Sequence, residues 1–327
     1  LHFALKFSQF FKGLNCYKVR FANMTEVLVT YNVVHAAPFG FLTTLFISIT
    51  GLNAGSYLAS VIFIYIGKKE YLPLAKFSAL TVVILWAVAP ILLLLDIGQP
   101  FRFWHIFAYF EPRSPMAWGT VILSLYPFLA SIYLWYLFHN DLPKAKLWGF
   151  IGLPVALGSH GFVGFVLSFS KARILWATSL TPFFFLVNAA LSGLALVIII
   201  DTIRYYLILK RTPGAQAQER LIFHYLGEVL YILIFAELGL ILFYLLKLGI
   251  SPKLFDHVLS LMAHGKISTM DLCFPVFLGL IFPLILLIIP KTARNPVGQL
   301  IASSLIIFGI FSLGNLVITA AQSMPLI

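Results

Sequence analysis

Polar residues punctuate this chain more than they pervade it. Eight apolar stretches, at 37–66, 75–97, 115–138, 147–170, 181–208, 220–248, 271–290 and 298–320, are separated by polar connections, the longest being 98–114, 209–219 and 249–270. A bilayer core about 30 Å thick is crossed by roughly 20 residues of helix, and every stretch meets that length. The first, fifth and sixth are longer, which predicts tilt or projection beyond the lipid. Backbone groups in hydrocarbon must be satisfied within the chain, so crossing segments of this length are helical. The pattern predicts an all-α polytopic integral membrane protein with eight transmembrane helices and both termini on the same side.

Composition agrees. The 327 residues are 61% hydrophobic and 10% charged, with a mean hydropathy of +0.99. Soluble domains run at about 45–50% apolar and about 25% charged. The net charge of +11 would point to nucleic acid in a soluble protein. Here lysine and arginine sit between the apolar runs, where they set orientation and meet anionic lipid, so no nucleic-acid partner is expected. The side bearing the N-terminus and the opposite side hold eleven each; without the four in the N-terminal tail the opposite side leads eleven to seven. That balance predicts an outward-facing N-terminal side.

Residues 1–24 mix Phe and Leu with Lys6, Lys12, Lys18 and Arg20. They lack the unbroken apolar core and cleavage site of a signal peptide, so an interfacial segment is expected ahead of a single membrane domain at 25–327. Cys16 and Cys273, the only cysteines, suit neither an iron–sulfur cluster, a structural zinc site nor a disulfide framework. No metal or haem is expected in this chain. Nucleotide-binding and hydrolase strings are also absent.

Ionisable groups within lipid are costly and point to function. Tyr31, Asn32 and His35 share one face if the first helix starts early, by their spacings of four and three. Asp96 ends the second apolar stretch on the same side, and His160 lies in the fourth. Such a set suits a ligand with two carbonyl or hydroxyl oxygens, and histidine exchanges protons near neutral pH. A quinone headgroup fits. Asp96 is either a proton carrier or a structural residue that caps a helix or pairs with Arg102. Glu237, near the middle of the sixth stretch, is either a proton relay or a helix-to-helix hydrogen bond. His224 and Glu228 are four apart, so a local pair is expected there. Glycines at 51 and 55, and at 158, 161 and 164, have the spacing of close helix approach.

The connection after the second stretch carries the most specific signal. Leu95-Asp96-Ile97-Gly98-Gln99-Pro100-Phe101-Arg102-Phe103-Trp104-His105, then Ser114-Pro115-Met116-Ala117-Trp118-Gly119, resembles the signature loop of the NrfD / polysulfide reductase membrane-subunit family. The likeness extends to the Gly161–Ser168 stretch, to Trp176-Ala177-Thr178, to Pro182–Phe185 and to Ser192-Gly193. It implies an eight-helix, quinone-reactive subunit of an oxidoreductase, using menaquinone or ubiquinone and holding no redox cofactor of its own. Its implied partners are a ferredoxin-like [4Fe–4S] protein and a further catalytic subunit, in a prokaryotic cytoplasmic (inner) membrane. Tyr31, Asn32, His35 and His160 become the expected quinone contacts, with His35, Asp96 and Glu237 handling protons. The family's fourth span often has Tyr-Thr where this chain has Phe162-Val163, and His160 is the substitute. Arg102, Trp104, His105, Arg113, Ser114 and Trp118 are the expected docking residues. A secondary transporter and a single-haem cytochrome b-type anchor are the alternatives. A transporter commonly shows internal repeats, and this chain has no evident one.

Overall fold

The computed structural model describes residues 39–96, 99–170, 173, 175–207, 215–250 and 269–322. The interfacial segment expected at 1–24, and Tyr31, Asn32 and His35, lie outside the described residues. In chain order the helices are α1 (Phe41–Ile66), α2 (Leu72–Asp96), the short α3 (His105–Ala108), α4 (Pro115–Phe138), α5 (Leu142–Ser168), α6 (Thr181–Leu207), α7 (Ala215–Ile250), α8 (Thr269–Val276), α9 (Phe282–Ile288), the short α10 (Pro290–Ala293) and α11 (Pro296–Gln322). Seven of these are long and apolar enough to cross a membrane, and among the described residues there is no strand. The protein is an all-helical polytopic membrane protein.

Helix ends follow local chemistry more than hydropathy. α5 begins at Leu142, ahead of the apolar run at 147, because Asp141 caps it. The Asp141 carboxylate accepts from the Lys144 backbone N–H at 3.3 Å and pairs with the Lys144 ammonium at 2.9 Å. Those contacts hold the Asp141 carboxyl below the usual carboxylate range. α1 stops at Gly67, whose φ of 75° is the left-handed conformation glycine takes without steric cost.

The seventh apolar stretch differs from its expectation. It is one continuous helix that carries a π-helical turn at Phe277–Ile281 between α8 and α9. Pro283 accounts for the turn, since it cannot donate to the Gly279 carbonyl and its ring crowds that oxygen. Gly279 in turn packs directly on the backbone of Gly309 in α11.

α1 is the hub. Of its most apolar stretch 72% is buried, against 17% for α7, so α1 is enclosed by the other helices and α7 lies at the outside of the bundle. Small residues permit this. Gly55 meets the backbone of Ala189 and Gly193 on α6, and a Cβ on Gly55 or Gly193 would overlap the opposing main chain. Gly51 lies under the ring of His160 on α5, and Gly152 under the Tyr57 hydroxyl.

Polar side chains along α1 are matched to neighbours. Asn53 donates to the Val82 carbonyl at 2.8 Å and accepts from the Tyr126 hydroxyl at 2.6 Å. Ser60 donates to the Ala75 carbonyl at 2.7 Å and lies 2.8 Å from the Tyr133 hydroxyl. At the end where α5 begins, Lys76, Lys144 and Lys146 lie over the rings of Phe138, Tyr136 and Tyr65. Ammonium groups on aromatic faces are suited to the membrane boundary.

This packing makes a direct prediction. Gly55→Ala and Gly193→Ala each lower stability by about 1–3 kcal/mol, the range for overpacking a tight interface. Gly314→Ala, where nothing approaches within 4 Å, is neutral or better. Thermal unfolding of the purified protein in detergent separates the two outcomes.

Candidate functional site

The end of the bundle at which α1 begins is tied by hydrogen bonds between distant parts of the chain. The Phe39 N–H donates to Gln322 Oε1 at 2.9 Å, and Gln322 Nε2 donates back to the Phe39 carbonyl at 3.0 Å. Trp176 Nε1 donates to the Val317 carbonyl at 2.9 Å, and Arg173 Nη1 to that of Ala321 at 2.7 Å. The Trp176 ring also meets Phe39 edge-on. The loop between α5 and α6 therefore clamps the end of α11 against the entry to α1.

Asp96 is held in this region. Its Oδ2 accepts a hydrogen bond from Thr43 Oγ1, and its Oδ1 lies beside Gly40. Gly40 caps α1 without a side chain. The first turn of a helix presents unpaired N–H groups and the positive end of its dipole, so a carboxylate from α2 is favoured there. Among the described residues no ion pair joins Asp96 to Arg102, and Arg102 is exposed. Asp96 meets α1 through the Thr43 side chain, and no side-chain cap hydrogen bond is made at Gly40.

The connection after α2 stands clear of the bundle. Phe101 is 90% exposed and Tyr109 78%, and Arg102, Trp104, Arg113 and Trp118 are exposed as well. His105 and Ser114 are half-buried. Internal contacts give the loop its shape. Trp118 Nε1 donates to the Pro112 carbonyl at 2.9 Å, and the rings of Trp104 and His105 meet at 4.1 Å. Exposed aromatic side chains and two exposed arginines, Arg102 and Arg113, thus lie along this connection.

His160 is buried where α1, α5 and α6 meet. Its Nδ1 is 3.2 Å from Thr50 Oγ1, its ring lies over Gly51, and Phe185 packs at 5.4 Å. Glu237 is fully buried on α7 and accepts from Asn188 Nδ2 on α6 at 2.9 Å. The expected local pair is present, with His224 Nε2 3.3 Å from Glu228 Oε1. Among the described residues no group of three His, Cys, Asp or Glu side chains is placed to hold a metal ion.

The structure thus brings Asp96 to the start of α1 and leaves His160 and Glu237 in separate interfaces deeper in the bundle. Sequence reasoning missed Gln322, Asn188 and the buried Asp201–Arg204 pair, whose atoms are 2.7 Å apart. Polar residues inside otherwise apolar runs were the available signal; which helix each would face was not.

Comparison with known proteins finds both a family and several relatives. A family model described as polysulphide reductase, NrfD, matches residues 30–325. A selenate reductase subunit of Mesobacillus selenatarsenatis is 25% identical over 198 residues, covering 49% of this chain and 46% of that protein. The Hdr-like menaquinol oxidoreductase integral membrane subunit of Archaeoglobus fulgidus is 31% identical over 149 residues, 45% of this chain and 38% of the relative. A polysulfide reductase polypeptide of Wolinella succinogenes is 23% identical over 170 residues, 46% and 54% respectively. The matched stretch therefore spans about half the length, or less, of these relatives.

The Asp96 contact sets a measurable expectation. Asp96→Ala leaves Thr43 and the α1 entry without their acceptor and costs about 1–3 kcal/mol. Asp96→Asn keeps an acceptor oxygen and costs less. Unfolding midpoints of the two variants, measured side by side, decide whether the carboxylate holds this helix end.

Proposed function

The chain belongs to the polysulphide reductase NrfD family, and from that premise we propose that it is the quinone-reactive membrane subunit of a multi-subunit oxidoreductase. The observation that carries this reading is the family match along residues 30–325, which takes in every described helix. The relatives supply a substrate class. One is named for menaquinol, and two others are named as parts of a selenate reductase and a polysulfide reductase.

In this reading electrons pass between a menaquinone or ubiquinone headgroup and a ferredoxin-like [4Fe–4S] partner, and a further catalytic subunit performs the terminal reaction. Oxidising a quinol releases two electrons and two protons, and reducing a quinone consumes them. This chain supplies oxygen-binding groups and proton acceptors, with the metal chemistry left to the partners. Tyr31, Asn32 and His35 hold the quinone oxygens, and His35 with Asp96 moves the protons. Support comes from chain reach. His35 is five positions before Gly40, and an extended chain of that length spans at most about 18 Å. Asp96 sits beside Gly40. His160 acts from below through Thr50, its ring being enclosed by protein. Arg102, Trp104, His105, Arg113, Ser114 and Trp118 form the floor on which the iron–sulfur partner rests.

In this reading α8 and α9 together make an eighth crossing, with both termini on one side. The lysine and arginine balance puts that side outside the cytoplasmic membrane.

Rapid mixing of the purified complex with a quinol analogue tests the reading. His35→Ala slows cluster reduction by about a hundredfold or more, the scale of lost acid–base catalysis. An unchanged rate refutes the assigned site. Reversing charge at Arg102 and Arg113 together slows partner association and alters its salt dependence, because rim charges act mainly on the on-rate. Surface plasmon resonance at two ionic strengths measures this.

A further inference from the structure

Two polar atoms in the interface between α6 and α7 lack partners in a way that a single proton corrects. Glu237 is fully enclosed, and Asn188 is 6% exposed. Asn188 Nδ2 has two N–H groups and uses both: one goes to Glu237 Oε1 at 2.9 Å and the other to the Phe184 carbonyl at 3.1 Å. The amide orientation is therefore fixed, because turning it over would set its oxygen against two other acceptors. What remains is Asn188 Oδ1 and Glu237 Oε2, both buried and both without a hydrogen-bond partner. Each is an acceptor when the carboxylate is ionised, so neither can serve the other.

We propose that Glu237 and Asn188 form a binding site for one proton, a carboxylic acid hydrogen-bonded to a carboxamide. With the proton on Oε2, that oxygen becomes a donor and Asn188 Oδ1 is the acceptor left to receive it. The amide then gives one hydrogen bond to the acid and takes one back. The ionised form is disfavoured by the surroundings. Among the described residues no cation pairs with Glu237, whereas Asp201, another buried acid, has Arg204 at 2.7 Å. An isolated carboxylate in a dry interface takes up a proton before it tolerates its charge.

The site contrasts with the polar groups on α1. Asn53 there has partners on both amide atoms and has no place for an added proton. Asn188 lies seven residues into α6 from Thr181, about 10 Å of helix rise. Release of the proton leaves acceptors facing across the interface, so ionisation of Glu237 and separation of α6 from α7 are linked. This pairing belongs to the resting bundle and holds with or without a quinone bound elsewhere.

Infrared spectroscopy of the full chain in nanodiscs tests it directly. The wild type shows the carbonyl stretch of a protonated carboxyl, above the amide band and shifted down in D2O, and Glu237→Gln loses it. Asn188→Ala retains the band and moves it to higher frequency, because the carboxyl has lost its partner. Persistence of an unaltered band in Glu237→Gln, or no protonated-carboxyl band in the wild type, overturns the proposal. The second result is that of an ionised carboxylate holding an alkali cation. If Glu237→Gln fails to fold, the Asn188→Ala shift decides: an unmoved band overturns the pairing.

Discussion

The backbone contact between Gly55 and Gly193 sets the distance between α1 and α6, and much else follows from that distance. Lipid chains are as apolar as leucine, so helices in a membrane associate through close packing and hydrogen bonds and gain little from hiding apolar surface. A methyl group at either glycine would hold the two main chains apart. With none there, α1 sinks among α2, α5 and α6, and Gly51 can lie under the His160 ring. The hydrogen-bonding side chains of α1 then meet partners on α2, α4, α5, α6 and α11. One small-residue contact thereby positions groups several turns away in both directions.

The two ends of α1 are treated differently. Toward Gly67 its polar groups are saturated by tyrosine hydroxyls and main-chain carbonyls, with lysines lying on aromatic rings at the boundary. Toward Gly40 a carboxylate from α2 stands at the helix entry, and the loop bearing Arg173 and Trp176 fastens the end of α11 nearby. The Asp96 side chain at the start of α1, with the exposed aromatic connection after α2, is where the proposed function sets its chemistry. Saturated hydrogen bonds at the other end are an arrangement for rigidity.

Much of the fold is legible in the sequence, and the reasons are physical. Apolar run length is dictated by bilayer thickness, so the spans at 115–138 and 181–208 reappear almost residue for residue as α4 and α6. Capping is local chemistry that a hydropathy average hides, which is why α5 starts ahead of its apolar run. The π turn at Phe277–Ile281 was hidden because Pro275 and Pro283 are tolerated in membrane helices and need not break them. For the site, Asp96 was marked out by sequence, but its partner Thr43 lies 53 positions away and was not. The same holds for Glu237 and Asn188: a lone polar residue in an apolar run announces that a partner exists, and only packing says which.

A quinone bound at the α1 entry, beside Asp96, is the claim on which the proposed function turns. Photolabelling of the intact complex with a photoreactive quinone analogue, followed by peptide mapping, tests that placement most directly. The prediction is that labels fall on the segment containing residues 31–43 and on the end of α2 near Asp96, and that excess native quinol suppresses them. Labels confined to the opposite end, around Lys76 and Asn140, or labels that quinol does not displace, would contradict it.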